Sequence, residues 1–143
     1  MNSTNNNIKG IIGGFIGIIL YFVFKVMFLS NMGEPTFNKS LVQTASELNK
    51  ICPFMVDRDT RLDNALALPH NVFQYNYTLI NILKDSINIP ELESNFKIEL
   101  SNLLINSSEL AMFKKQKANI HYSYKDKEGV FITKIEITPE EYE

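Results

Sequence analysis

No tryptophan occurs in this chain, and cysteine occurs once and histidine twice in 143 residues. A lone thiol cannot close an internal disulfide, so no disulfide framework holds the fold, and the redox compartment stays open. Cys52, His70 and His121 are too few and too scattered for a zinc site. They also lack the sequence context of a thiol protease, and Cys52 closes an amphipathic stretch where a small thiol packs well. Glycine is scarce as well. Four of the six fall within the first seventeen residues, and each later one stands alone, so there is no Gly-rich phosphate loop. Charge of one sign is missing: 14 Lys and Arg against 16 Asp and Glu leave a formal −2. That balance excludes the strongly basic surface of a nucleic-acid binder. The one basic cluster, "KKQK" at 114–117, reads as a solvated last helical turn placed favourably for the helix dipole. These absences point away from a metal, a cofactor and a nucleic-acid partner.

Long hydrophobic runs are absent but for one. Residues 8–29, "IKGIIGGFIGIILYFVFKVMFL", are apolar apart from Lys9 and Lys25. A helix needs roughly 20 such residues to cross a bilayer, and Lys25 lies close enough to the end to snorkel. The charged leader is thin, the apolar core is long, and no small-x-small cleavage site follows, so the run reads as an uncleaved anchor. Gly10, Gly13, Gly14 and Gly17 share one helical face as two overlapping G-x-x-x-G pairs. Small residues let membrane helices approach closely, so this face suits contact with another transmembrane helix, including a second copy. Lysines before and after the span nearly balance. By analogy with signal anchors, the domain behind it is expected in the periplasm. Sixteen asparagines with an Ile and Lys bias suggest an AT-rich bacterial genome.

The resulting organisation is a leader and transmembrane anchor over 1–29, a linker over 30–35 broken by Gly33 and Pro35, and a domain over 36–143. Phe37, Leu41, Ala45, Leu48 and Ile51 recur at helical spacing up to Pro53. Phe54–Asp57 and Arg61–Leu66 read as one irregular strand interrupted by charge. "VFQYNYTLI" from Val72 alternates cleanly as a half-buried strand. Pro90 opens a helix with Leu92, Phe96, Leu100 and Leu103 in a stripe, and a short helix from Ser108 to Lys117 turns Leu110 and Phe113 inward. "NIHYSYK" and "GVFITKIEI" are two further strands joined through "KDKEG", where Gly129 can supply a positive φ. The expected fold is α+β: a transmembrane helix, then helices on one face of a four-stranded antiparallel sheet in the order α-β-β-α-α-β-β.

The densest charge is "DRDTRLD", residues 57–63. An EF-hand loop needs a third oxygen ligand where Arg61 stands, and a glycine that does not follow. Alternation along an extended chain puts Asp57, Asp59, Arg61 and Asp63 on one face, with Arg61 between Asp59 and Asp63. Structural ion pairs are favoured, ahead of a partner-docking patch at Asp57, Arg61 and Asp63, and ahead of a metal or catalytic site. Tyr75, Tyr77, Tyr122 and Tyr124 fall on the apolar faces of two strands, which suits a core or a groove for a small ligand or peptide.

Leu48, Asn49, Pro53, Met55, Val56, Asp57, Thr60, Arg61, Leu62 and Asp63, followed by Tyr75, Tyr77, Thr78 and Leu79, form L-N-x3-P-x-M-V-D-x2-T-R-L-D … Y-x-Y-T-L. The pattern resembles small uncharacterised bacterial membrane-anchored proteins and covers about residues 48–81. The resemblance implies a fold unit in which Asp57, Arg61 and Asp63 act together, and implies no activity. The functional expectation is a non-enzymatic, membrane-tethered binding or assembly module of a bacterial envelope complex: an accessory, pilot or immunity-type protein. Its partners would be the lipid bilayer and a transmembrane helix or envelope protein. The alternative is a small hydrolase or ligand-binding enzyme using the tyrosine-lined groove.

Overall fold

The stripe of Leu41, Ala45 and Leu48 becomes helix α1, Phe37–Asn49, in the computed structural model, which describes residues 37–108 and 110–143. All three side chains are buried. Ile51, expected on the same stripe, is exposed. The helix stops at Asn49, and Lys50 and Ile51 donate their N–H groups back to Glu47 and Leu48 in a closing turn that re-aims the side chain.

Strands β1 (Phe54–Met55), β2 (Thr60–Leu68) and β3 (Val72–Leu79) follow, then helices α2 (Ile89–Asn106) and α3 (Ala111–Lys115), then β4 (Asn119–Lys125) and β5 (Phe131–Ile137). The five strands lie side by side in sequence order, all neighbours antiparallel except β3 and β4, which are parallel. An α+β fold is therefore observed, but the expected four-stranded antiparallel sheet and its element order are not. The charged run is a hairpin turn rather than a break within one strand, so Phe54–Met55 folds back on Arg61–Leu62 as a strand of its own. The connection from Ile80 to Ala118 carries both later helices across one sheet face and re-enters at the end where β3 began, which forces parallel pairing. The expected transmembrane helix is not among the described elements. No helix among the described residues is long and apolar enough to cross a membrane. The run over 8–29, the glycine face of Gly10, Gly13, Gly14 and Gly17, and the linker over 30–35 lie outside the described residues.

The inner sheet face carries the core. Register sets Leu62, Ala65, Phe73, Tyr75, Tyr77, Leu79, Ile120, Tyr122, Tyr124, Ile135 and Ile137 on that side, all buried. The helix α2 starts at Asn88, whose side chain accepts the Glu91 N–H at 3.4 Å, with Pro90 in the first turn. It buries Leu92, Phe96, Leu100 and Leu104 against the sheet, a strict i, i+4 row that takes Leu104 rather than Leu103 inward. Phe113 of α3 meets Phe73 at 5.2 Å between ring centroids. The hairpin between β4 and β5 turns at Gly129, where φ is 82°, as the glycine position required. Asp126 ties that hairpin to the start of the crossover: its carboxylate accepts N–H groups of Lys84, Glu128 and Val130 at 2.9–3.0 Å. Those backbone donors, Lys84 first, hold its carboxyl below the usual range.

Beyond the two-residue β1, the edge of β2 is closed by a side chain. Asn49 donates its amide to the Ala65 carbonyl at 2.8 Å and accepts the Ala65 N–H at 2.7 Å. It thus supplies the donor and acceptor a neighbouring strand would have provided, and fixes the end of α1 to the sheet. Asn49→Ala should cost about 1–3 kcal/mol in denaturant unfolding. Asn49→Asp should recover only part of this, since a carboxylate can accept the N–H but repels the carbonyl. A loss below about 0.5 kcal/mol would show that the clamp adds little.

Candidate interaction face

The turn that carries the first half of "DRDTRLD" is built by Asp57. Its Oδ1 accepts the N–H groups of Asp59 at 2.7 Å and Thr60 at 2.8 Å, while Val56 donates to the Thr60 carbonyl at 2.9 Å. This is the local side-chain-to-backbone bonding that makes aspartate a turn residue. Burial pushes the Asp57 carboxyl up, against those same hydrogen bonds. Asp59 does not reach Arg61. It pairs with Arg58 at 3.3 Å and accepts the Asn81 amide at 2.5 Å. The expected single face of Asp57, Asp59, Arg61 and Asp63 is therefore divided: the first two shape the turn, and the last two stand on β2.

Arg61 and Asp63 share the outer sheet face by ordinary alternation, and the bulge between Leu62 and Asn64 turns Asn64 outward beside them. Inward positions run Thr60 and Leu62 before the bulge and Ala65 after it, leaving Asp63 as the extra residue. There its carboxylate collects three strands. Arg61 Nε lies 2.6 Å from Oδ1, the Thr78 hydroxyl of β3 donates to Oδ2 at 2.6 Å, and Lys125 Nζ of β4 lies 3.1 Å from Oδ2. Burial raises the Asp63 carboxyl, but Thr78, Arg61 and Lys125 together outweigh it and hold the group below its ordinary value.

Register turns this cluster into a line. Met55, Arg61, Thr78, Lys125 and Phe131 are successive partners across all five strands, on the outer face. The ends are apolar and open, with Met55 41% and Phe131 55% exposed. A second row runs Asn64, Asn76, Ser123 and Lys134, and a third Leu66, Gln74, His121 and Glu136. Gln74 donates to Asn76 at 2.8 Å and Asn76 to Asn64 at 2.7 Å. These bonds hold the polar side chains in fixed positions on the sheet. In the third row, burial holds the His121 imidazole below its ordinary value although Glu136 lies 3.9 Å away.

The four tyrosines belong to the other face. Tyr75 stacks on Tyr122 at 5.5 Å and Tyr77 on Tyr124 at 5.3 Å, with interplanar angles of 18° and 19°. All four rings are 1–2% exposed beneath the helices, so they form core and not an open groove. Nor does the fold gather Cys52, His70 and His121. Cys52 precedes β1 beside the start of β2, His70 lies in the turn beyond the other end of β2, and His121 sits on β4. Burial, then the Asp63 charge, pushes the Cys52 thiol up to about 11, so it stays protonated and poorly nucleophilic at neutral pH. Among the described residues no group of three or more His, Cys, Asp or Glu side chains could hold a metal ion.

Residues 36–131 match the family model described as "Domain of unknown function (DUF8479)". The chain belongs to this family. The DUF8479 match spans α1 through the first residue of β5, and so takes in the whole Met55–Phe131 row. No curated protein matches the sequence. Among solved structures, the fold is similar to the crystal structure of a "putative secreted protein (PA3611)" from Pseudomonas aeruginosa. The TM-score is 0.58 at 12% identity, covering 78% of this chain and 100% of that one. That likeness is one of fold.

The expected placement in the inner membrane, single-pass with a periplasmic domain, is overturned by two findings: the described fold has no spanning helix, and its structural neighbour is described as secreted. Apolar length reports what a segment can partition into, and it does not by itself make that segment a retained anchor. Sequence reasoning also missed Thr78 and Lys125 as partners of Asp63. They come from strands 15 and 62 positions further along. Thr78 did carry a signal, as a polar residue at an outward position of a clean alternation; Lys125 carried none beyond its strand.

Proposed function

We propose that this DUF8479 domain is a non-enzymatic binding or assembly module that docks an envelope protein through the outer face of its sheet. The observation that supports the reading is the Met55–Arg61–Thr78–Lys125–Phe131 row, with Asp63 at its centre and Asp57 shaping the turn beside it. Arginine, methionine and aromatic residues are the types enriched at the centres of protein interfaces. Here they stand on a rigid sheet face opposite the one the helices cover, where little side-chain ordering is left to be lost on binding. The description of the structural neighbour as secreted supports action outside the cytoplasm.

A photo-reactive amino acid placed in turn at Phe131, Leu66 and, as a control, the exposed helix residue Ile98 tests this in the native host. Cross-links to one common protein from Phe131 and Leu66, and none from Ile98, are the expected result. Equal labelling from all three sites, or labelling from Ile98 alone, would remove the outer face as the docking surface. Phe131→Glu should abolish the cross-link from Leu66 while leaving the melting temperature within about 4 °C, since the ring is exposed and surface changes rarely exceed ~0.5 kcal/mol.

A further inference from the structure

The free edge of the sheet is β5, and its sequence is self-complementary. Strand order ends at β5, and its outward backbone groups bond to nothing among the described residues. An uncovered edge of this kind is a template for another strand. The segment "FITKIEI" contains no proline, and its one irregularity, the register shift between Tyr124 and Lys125, lies at the Phe131 end. That leaves Thr133–Ile137 regular.

We propose that β5 pairs antiparallel with β5 of a second copy of this chain, with Ile135 on the two-fold axis, joining two five-stranded sheets into one. In that register Lys134 of each copy stands opposite Glu136 of the other on the outer face, and Ile135 meets Ile135 on the inner face. Directly opposite residues bring their Cβ atoms to about 4.5–5.5 Å, so each lysine faces a carboxylate twice. One comes from its own strand, where Lys134 Nζ is 2.5 Å from Glu136 Oε1, and one comes from the second copy. The charges also exclude the neighbouring registers. A slip of two residues one way sets Lys134 against Lys134, and the other way sets Glu136 against Glu136, while a slip of one residue would turn the buried side chains outward. A second copy is thus the occupant that the order Lys-Ile-Glu specifies. This pairing runs along the backbone edge over Thr133–Ile137 and leaves the outer-face row from Met55 to Lys125 uncovered, so it stands independently of the docking surface proposed above.

Sedimentation equilibrium of the full-length chain in a mild non-ionic detergent should give the mass of two chains. Lys134→Glu and Glu136→Lys should each give the mass of one, because both replace two attractive pairs by two repulsive ones. The double variant carrying both changes should restore the dimer. Far-UV melting checks that the single variants fold. If one does not, Lys134→Gln and Glu136→Gln should instead weaken dimerisation by about 2–30-fold, the loss of two cross-strand pairs without repulsion. A wild-type chain that stays monomeric at every concentration overturns the proposal. So do single reversals that leave the dimer intact, and a double variant that remains monomeric.

Discussion

Tyr124→Ala should destabilise the domain by about 3–5 kcal/mol, the range for removing a buried aromatic side chain. The ring is 1% exposed, stacks on Tyr77 at 5.3 Å and meets Phe96 of α2 at 5.2 Å, so it joins β3, β4 and the crossover helix in one contact. Few neighbours can relax into the space, because the adjoining Tyr75, Tyr77 and Tyr122 are themselves stacked and buried. Thermal unfolding should fall by at least ~10 °C, given about 4–8 °C per kcal/mol in a domain of this size. Tyr124→Phe keeps the ring and should lose less than about 1.5 kcal/mol. A groove lined by these rings predicts the opposite: altered ligand binding with stability preserved. A loss under about 2 kcal/mol for the alanine variant would contradict the core assignment.

The second large effect belongs to Asp63. Asp63→Ala should cost about 2–3 kcal/mol, because it removes a charged acceptor for the Thr78 hydroxyl and the shared counterion of Arg61 and Lys125. The ion pairs themselves add little. The Arg61 and Lys125 side chains are 40% and 44% exposed, and water screens them. Arg61→Ala should therefore cost under about 1 kcal/mol, since Asp63 keeps Thr78 and Lys125. The asymmetry between the two variants is the test: a hub loses more than a spoke. Equal losses would mean that Arg61 and Asp63 act as an isolated pair. A pH dependence follows from the lowered Asp63 carboxyl. The folded state binds this proton more weakly than the unfolded chain, so the contribution is complete above the unfolded value of about 3.9. It fades as pH falls through the lower folded value. Asp63→Asn should therefore flatten the acid limb of the stability curve and leave the limb above neutrality unchanged.

Both effects depend on which strands lie beside which. Periodicity in the sequence located α1, α2, β3, β4 and β5 and most of their inward residues, Ile51 and Leu103 excepted, since alternation and i, i+4 spacing are local consequences of backbone geometry. Gly129 and Pro90 were placed for the same reason: each satisfies a backbone need within its own turn. Local reading failed wherever a distant segment made the decision. Ile51 keeps helical spacing with Leu48, yet it turns outward because the helix ends two residues earlier. "DRDTRLD" supplies alternating charges, and the sequence could show that an EF-hand does not fit them. It could not show that a hairpin would split them between a turn and a sheet face.

The sequence alone determined the α+β class, the apolar stripes that become core, and the glycine turn at Gly129. Only the tertiary structure decided that β3 and β4 run parallel, that Tyr75 and Tyr77 stack on Tyr122 and Tyr124, and that Asp63 gathers Thr78 and Lys125. The physical reason is one of range. Side-chain periodicity is fixed by the few residues around each position. Strand order and direction are fixed by where a helical crossover of nearly forty residues sets the chain down again, and no local pattern records that place.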